Sequence, residues 1–191
     1  MIDVSLEYVR KVLDHSLAIT FRLDGGVVVL NNVVDANGDS PQKNQNKLVV
    51  TLVNLEYETS KQFYGGYDSY RLDTKQINRV NPAVCFNLDI LISANFDEYK
   101  EALKFLTAAI RFFQENIVLT RTNNPTLPDG ISALKFEIEN TPCTKTYHLW
   151  NSLGAKYMPS IVYKIRQVTV DSGQIKSSPT TIQNIVTEAS P

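Results

Sequence analysis

The chain has 191 residues, 43% of them apolar and 20% charged, with 19 basic and 20 acidic side chains and a net charge of −1. That length and apolar content suit one domain whose core needs no disulfide or metal staple. The balanced charge gives no electrostatic case for nucleic acid or an anionic membrane surface, and no run of about 18 apolar residues offers a membrane span.

The opening stretch MIDVSLEYVRKVLDHSL carries charges throughout and is not read as a signal peptide. Ile2, Leu6, Val9, Leu13 and Leu17 recur at helical spacing, which predicts an N-terminal helix stopped at Asp24-Gly25-Gly26. VVVLNNVV (27–34) is β-branched and predicts a strand, and DANGDSPQKNQN (35–46) a polar loop. That loop begins like a calcium loop, but its glycine and its last position are wrong for one. LVVTLVNLEYET (48–59) is apolar at both parities as far as Leu55, which predicts a central strand buried on both faces. Residues 60–81 are tyrosine-rich and without a period, and read as an excursion from the core.

AVCFNLDILISA (83–94) alternates: Val84, Phe86, Leu88, Ile90 and Ile92 face one way, and Asn87, Asp89 and Ser93 the other. Asn95 offers a cap with Glu98 behind it, opening a helix over 96–115 with the stripe Phe96, Tyr99, Leu103, Leu106, Ile110 and Phe113. A short IVLT strand follows, then the turn Leu127-Pro128-Asp129-Gly130. Leu134, Phe136 and Ile138 alternate with Lys135, Glu137 and Glu139 as a half-exposed strand. Thr141 caps a short helix with Pro142 at its first position. Tyr147, Trp150 and Leu153 give that helix an apolar face, with Trp150 as a core plug, and Gly154 gives it a left-handed stop. In SIVYKIRQVTV (160–170), Ile161, Tyr163 and Ile165 oppose Lys164 and Arg166. The fold class is therefore α/β of the α+β kind, a mixed, mainly antiparallel sheet with a long helix packed across it.

Residues 171–191 are rich in Ser and Thr and read as a C-terminal arm, extended or disordered, after a domain spanning 1–170. The aliphatic β-formers at this end, Val168, Val170, Ile175, Ile182, Ile185 and Val186, are the candidate partner-binding residues.

No chemistry is legible. There is no G-x-S-x-G, and His15 and His148 each lack a second histidine one turn away. Gly25-Gly26 and Gly65-Gly66 lack the rest of a phosphate loop, and Cys85 and Cys143 read as buried thiols. No catalytic, cofactor or metal residue is assigned, and no cofactor is expected. A site built only of acids, tyrosines or backbone amides would escape such a search. A small enzyme of that kind, or an adaptor or chaperone for a secreted cargo protein, is the alternative reading.

Several blocks, taken in order, carry a resemblance. They are Met1-Ile2-Asp3, LVVTLVNLEYE (48–58), SANFDEYKEALKFLTAAIRFFQ (93–114), LPDGISALKFEIEN (127–140) and HLWNSLGAKYMPSIVYKIR (148–166). Together they resemble the cap, or tail-terminator, proteins of contractile injection systems of the antifeeding-prophage and virulence-cassette type. HLWNSLGAKYMPS is the most specific of them. The resemblance implies a phage tail-terminator-like fold and a structural, non-enzymatic role. It implies a homo-hexameric ring that ends the inner tube and the contractile sheath at the end distal to the baseplate. The implied partners are the tube and sheath proteins, with neither nucleic acid nor membrane. The implied location is the cytoplasm during assembly and then the finished particle.

Overall fold

The computed structural model describes residues 1–58, 67–71, 76–80, 84–170 and 175–177. Helix α1 (Ile2–Phe21), strand β1 (Val28–Leu30), a short 3-10 turn (Gln42–Asn44) and strand β2 (Lys47–Tyr57) come first. They are followed by β3 (Tyr67–Arg71), β4 (Gln76–Val80), β5 (Val84–Asn95), α2 (Tyr99–Glu115), β6 (Val118–Thr120), β7 (Ala133–Ile138), α3 (Cys143–Leu153), β8 (Ser160–Val170) and β9 (Ile175–Ser177). One sheet has the strand order β1-β2-β5-β8-β7-β6, with β1–β2 parallel and the other four pairs antiparallel. The expected mixed, mainly antiparallel sheet is borne out.

β5 is flanked by β2 on one side and β8 on the other for most of its length. Its Leu88, Ile90, Ile92 and Ala94 meet Leu6, Val9, Leu13 and Leu17 of α1 and Ala102, Phe105, Ala109 and Phe113 of α2 in the main core. Asn87, Asp89 and Ser93 turn to the opposite face, as their parity predicts, but that face is covered too and all three are buried. There Leu91 joins Val33, Val162 and Trp150 of α3 in a second, smaller core.

The end of α1 differs from the expectation. Its left-handed residue is Arg22 (φ 56°), and the Leu23 amide donates back to the Ala18 carbonyl at 2.9 Å, so the helix stops before the glycines. Gly25 and Gly26 instead form the connection to β1, where the Asp14 carboxylate accepts from the amides of Gly26, Val27 and Val28 at 2.7–2.9 Å. β1 keeps only three residues of the predicted strand. The buried Asn44 side chain accepts from the Asn31 side chain and donates to the Asn32 carbonyl, which draws the chain away from the sheet. β2 is consequently not a central strand buried throughout. It pairs with β1 only over Leu48–Val50, and Leu52 and Leu55 are exposed.

In α2 the buried face is Ala102, Phe105, Ala109, Phe112 and Phe113, while Tyr99 and Leu103 are 64% and 41% exposed. The predicted stripe is rotated from the real one because alanines at the closest approach carry little apolar weight in a sequence. Phe105 stacks between Phe21 and Phe96, with ring centroids 4.3 and 4.6 Å away. The helix starts at Tyr99 rather than Phe96, without the predicted side-chain cap. Asn95 donates to Ser40, and Asn46 accepts from the Asp97 amide.

β7 buries Leu134 and Phe136 but exposes Ile138, which lies past the last residue paired with β6. In α3, Pro142 is the N-cap itself, Tyr147 is exposed and Trp150 is the buried plug, stacked edge-on against Tyr157. Gly154 is left-handed as predicted (φ 66°). Cys85 is half-buried and Cys143 exposed, so neither is the buried thiol expected.

The stretch read as an excursion contributes β3 and β4, which β9 joins in a second, three-stranded sheet, β3-β4-β9. Along the chain, β3 follows β2, β4 precedes β5 and β9 follows β8. The small sheet therefore repeats the order β2-β5-β8 of the central trio.

Two substitutions test this packing by chemical denaturation. Ala109→Leu puts bulk where α2 meets the core and should cost ~1–3 kcal/mol, whereas Leu103→Ala should stay within ~0.5 kcal/mol. A Cβ at Gly154 meets nothing within 4 Å, so Gly154→Val isolates the backbone term and should still cost more than ~1 kcal/mol.

Candidate assembly surfaces and a buried charge cluster

On the sheet face under α3, a polar row crosses four strands: Asn54 of β2 opposes Asp89 of β5, which opposes Lys164 of β8, which opposes Glu137 of β7. The Lys164 ammonium donates to Glu56 at 2.7 Å and lies 3.6 Å from Asp89 and 3.8 Å from Glu139. Asn54 donates to both Asp89 and Glu56, at 3.0 and 3.2 Å. The Lys164 and Asp89 side chains are only 11% and 10% exposed, so each charge depends on the other groups of the cluster. The hydrogen bond to Glu56 raises the Lys164 pKa above the ordinary lysine value, and the charges of Asp89, Glu56 and Glu139 add to the effect against the opposing pull of burial. Arg166, one pair further along β8, is raised in the same way by its hydrogen bond to Glu137.

A cavity of about 300 Å³ opens beside this cluster, lined in part by Glu139, Lys145, His148 and Leu149. A lysine whose pKa is raised stays protonated and is no nucleophile; Glu56 accepts from Lys164 and Asn54, and Asp89 accepts from Asn54 through Oδ2 while its buried Oδ1 has only the Lys164 charge 3.6 Å away. The cluster ties β2, β5, β8 and the β7–α3 connection together. Among the described residues no group of three His, Cys, Asp or Glu side chains could hold a metal. Nor is any described helix long and apolar enough to cross a membrane.

Among the described residues, two stretches of exposed apolar surface stand out. One is a groove of about 1140 Å³ beside α1, lined by Val4, Tyr8, Val12, Ile19, Phe112 and Pro128 among others. The other is the outer part of β2. A bulge between Leu52 and Asn54 shifts the register, so that Leu52, Leu55 and Tyr57 all stand opposite Ile90, Leu88 and Phe86, on the helical face of the sheet. The three are 36%, 44% and 53% exposed.

The residues expected at the C-terminal end fall in different settings. Val168 is 3% exposed and belongs to the main core, which removes it from the surface of the subunit. Val170 pairs with Val84 at the end of β8, and Ile175 pairs with Val80 in the small sheet. Ile182, Ile185 and Val186 lie outside the described residues. The buried cluster went unread because Glu56, Asp89, Glu139 and Lys164 are far apart in sequence and alternate like solvent-facing residues. Its signal was Asp89 and Lys164, each set between large apolar neighbours in a strand.

The fold is that of an α+β protein with one mixed, mainly antiparallel sheet covered by helices on both faces. The chain belongs to the Pvc16 N-terminal domain family, whose sequence profile matches residues 7–184. The resemblance carried by the sequence blocks is thereby borne out. No curated protein matches the sequence at a significant level. Among solved structures, the cryo-EM structure of the anti-feeding prophage cap, a tube-terminating cap, shares the fold with a TM-score of 0.54 and 11% identity, over 85% of this chain and 54% of that one. The PVC sheath/tube terminator of an extracellular contractile injection system, in its extended state, gives 0.48 and 14%, over 76% of this chain and 50% of that one. The chain thus spans about half the length of each.

Replacing Lys164 by Met should lower stability by ~3 kcal/mol or somewhat less, since Glu56 is partly screened by solvent. Adding Asp89→Asn should restore part of the loss. Because the folded pKa of Lys164 is raised, its contribution is complete below the ordinary lysine range and is lost as pH rises through the folded value. The gap between wild type and Lys164→Met, measured by urea denaturation, should therefore narrow at strongly alkaline pH.

Proposed function

We propose that this chain is a structural cap, ending the inner tube and contractile sheath of a phage-tail-like injection particle at the end distal to the baseplate. The observation that carries this is the Pvc16 N-terminal domain match across residues 7–184, on a chain that folds like a tube-terminating cap. The physical requirement is simple. A stack of identical rings always presents one face able to bind another ring, and a terminator must match that face without reproducing it. A rigid sheet body with apolar surface at one edge suits such a task, and no reaction needs to be assigned to it.

In this reading six copies close a ring by heterologous contacts, with a mass of about 129 kDa (six times 21.5 kDa). Its partners are the tube and sheath proteins. Residues 171–191 act as an arm, with Val170, Ile175, Ile182, Ile185 and Val186 as its contact residues. The cap joins the particle in the cytoplasm and remains part of it.

Deleting the gene and imaging the particles tests this. Tubes and sheaths of uncontrolled or unstable length are expected, with normal length restored by the plasmid-borne chain. Stable particles of normal length in the deletion strain would end the cap reading.

A further inference from the structure

Among the described residues no strand pairs with the outer edge of β2 beyond Val50, where the Asn31 amide makes the last backbone bond by donating to the Val50 carbonyl and the Thr51 hydroxyl donates to the Asn31 carbonyl at 2.6 Å. The remaining run, Thr-Leu-Val-Asn-Leu-Glu-Tyr (51–57), contains no lysine and no proline, two residues that commonly guard an edge. Its one charge, Glu56, is held by Lys164. Its helical face offers Leu52, Leu55 and Tyr57 to solvent. The bulge keeps all three on that face, whereas a regular strand would have sent Leu55 and Tyr57 to the other. The opposite edge strand, β6, is only three residues long, a length that itself protects an edge.

We propose that the β2 edge over 51–57 is the receptor for residues 180–187 of a second copy of this chain, added to the sheet as a further strand. The inference rests on the ring reading above. The segment Thr-Thr-Ile-Gln-Asn-Ile-Val-Thr is β-branched at six of its eight positions and is bounded by Pro179 on one side and Ala189-Ser190-Pro191 on the other. Its length matches the seven-residue edge. Ile182 and Val186 share one parity and so one face, and their four-residue spacing matches Leu52 and Tyr57, whose partners Ile90 and Phe86 are also four residues apart.

Strand order argues for a second copy. β8 lies across β5 from β2, and β9 lies across β4 from β3 in the small sheet; an added strand outside β2 is three strand spacings from β8, roughly 14 Å. Between the end of β9 at Ser177 and the start of the segment only Ser178 and Pro179 intervene, an extended reach of about 10 Å. The segment therefore reaches a neighbour's edge more readily than its own. Donor at one end and acceptor at the other make a heterologous contact, the kind that closes a ring.

The test places a photo-reactive benzophenone amino acid at Leu52 of the full chain and irradiates both the purified protein and assembled particles. Trypsin cuts after Lys176, and no lysine or arginine follows within 177–191, so residues 177–191 stay together in one peptide. A covalent dimer in which the β2 peptide is joined to 177–191 is expected, and Leu55→Lys in the same chain should abolish it. The exposed position of Leu55 keeps that variant folded, which circular dichroism would check. Adducts to other peptides only, or only within one chain, in both samples would overturn the proposal. Rings present on particles without this adduct would leave the cap reading intact. Particles lacking the chain altogether would remove the cap reading, and the adduct in purified protein would then decide the strand pairing alone.

Discussion

Everything in this fold answers to β5, a strand that has both edges paired and both faces covered. Its even-numbered residues from Leu88 to Ala94 require an apolar layer, which α1 and α2 supply. Its odd-numbered face requires another, yet carries Asn87, Asp89 and Ser93 beside a single large apolar residue, Leu91. A strand in that position cannot leave a carboxylate without partners, because a buried charge costs several kcal/mol unless it is paired and hydrogen-bonded. Lys164 is therefore set opposite Asp89 on the neighbouring strand, and Asn54 is set opposite it on the other side. Once Lys164 is there, it needs Glu56 and Glu139 as well. The small core around Trp150 and the polar row beside it are two halves of one solution for covering the second face.

The same logic explains which parts were legible in the sequence. α1 was, because Leu6, Val9, Leu13 and Leu17 are large and all buried. Gly154 was, because glycine adopts the left-handed angle of a helix stop without strain. The face of α2 was misread by a fraction of a turn. Ala102 and Ala109 are the residues that let the helix approach the sheet, and smallness is invisible to a count of large apolar side chains. β2 was misread for a different reason: its apolar content at both parities is real, but three of its apolar residues are not spent on the core of this subunit. A hydrophobic pattern records that surface will be buried, and not by whom. The order of the β3-β4-β9 sheet was beyond reach, since strands separated by most of the chain pair by register that no local period encodes.

Functional legibility followed a similar line. Searching for catalytic spacing found none, while the block HLWNSLGAKYMPS carried the family. Seen in the fold, that block is the C-terminal half of α3, its glycine stop and the turn into β8. It places Trp150 in the second core and leads into the strand that bears Lys164. Its specificity is that of a packing unit: the Trp plug, the left-handed Gly and the β8 start must coincide for the second face to close.

The two edges of the sheet are unequal, and that inequality matters for assembly. At one edge β6 is three residues long. At the other, β1 is equally short, but it stops early on a strand that continues seven residues beyond it. A symmetric pair of guarded edges would give a self-contained subunit. A pair of open edges would let strands add on both sides and propagate without limit. One guarded edge and one edge left open among the described residues confine strand addition to one side of each copy. Whether such a chain of contacts ends is then decided by rotation: contacts of this kind close when the angle between neighbours divides the circle. For a terminator this is the useful case, because a closed ring has no edge left to offer the next one.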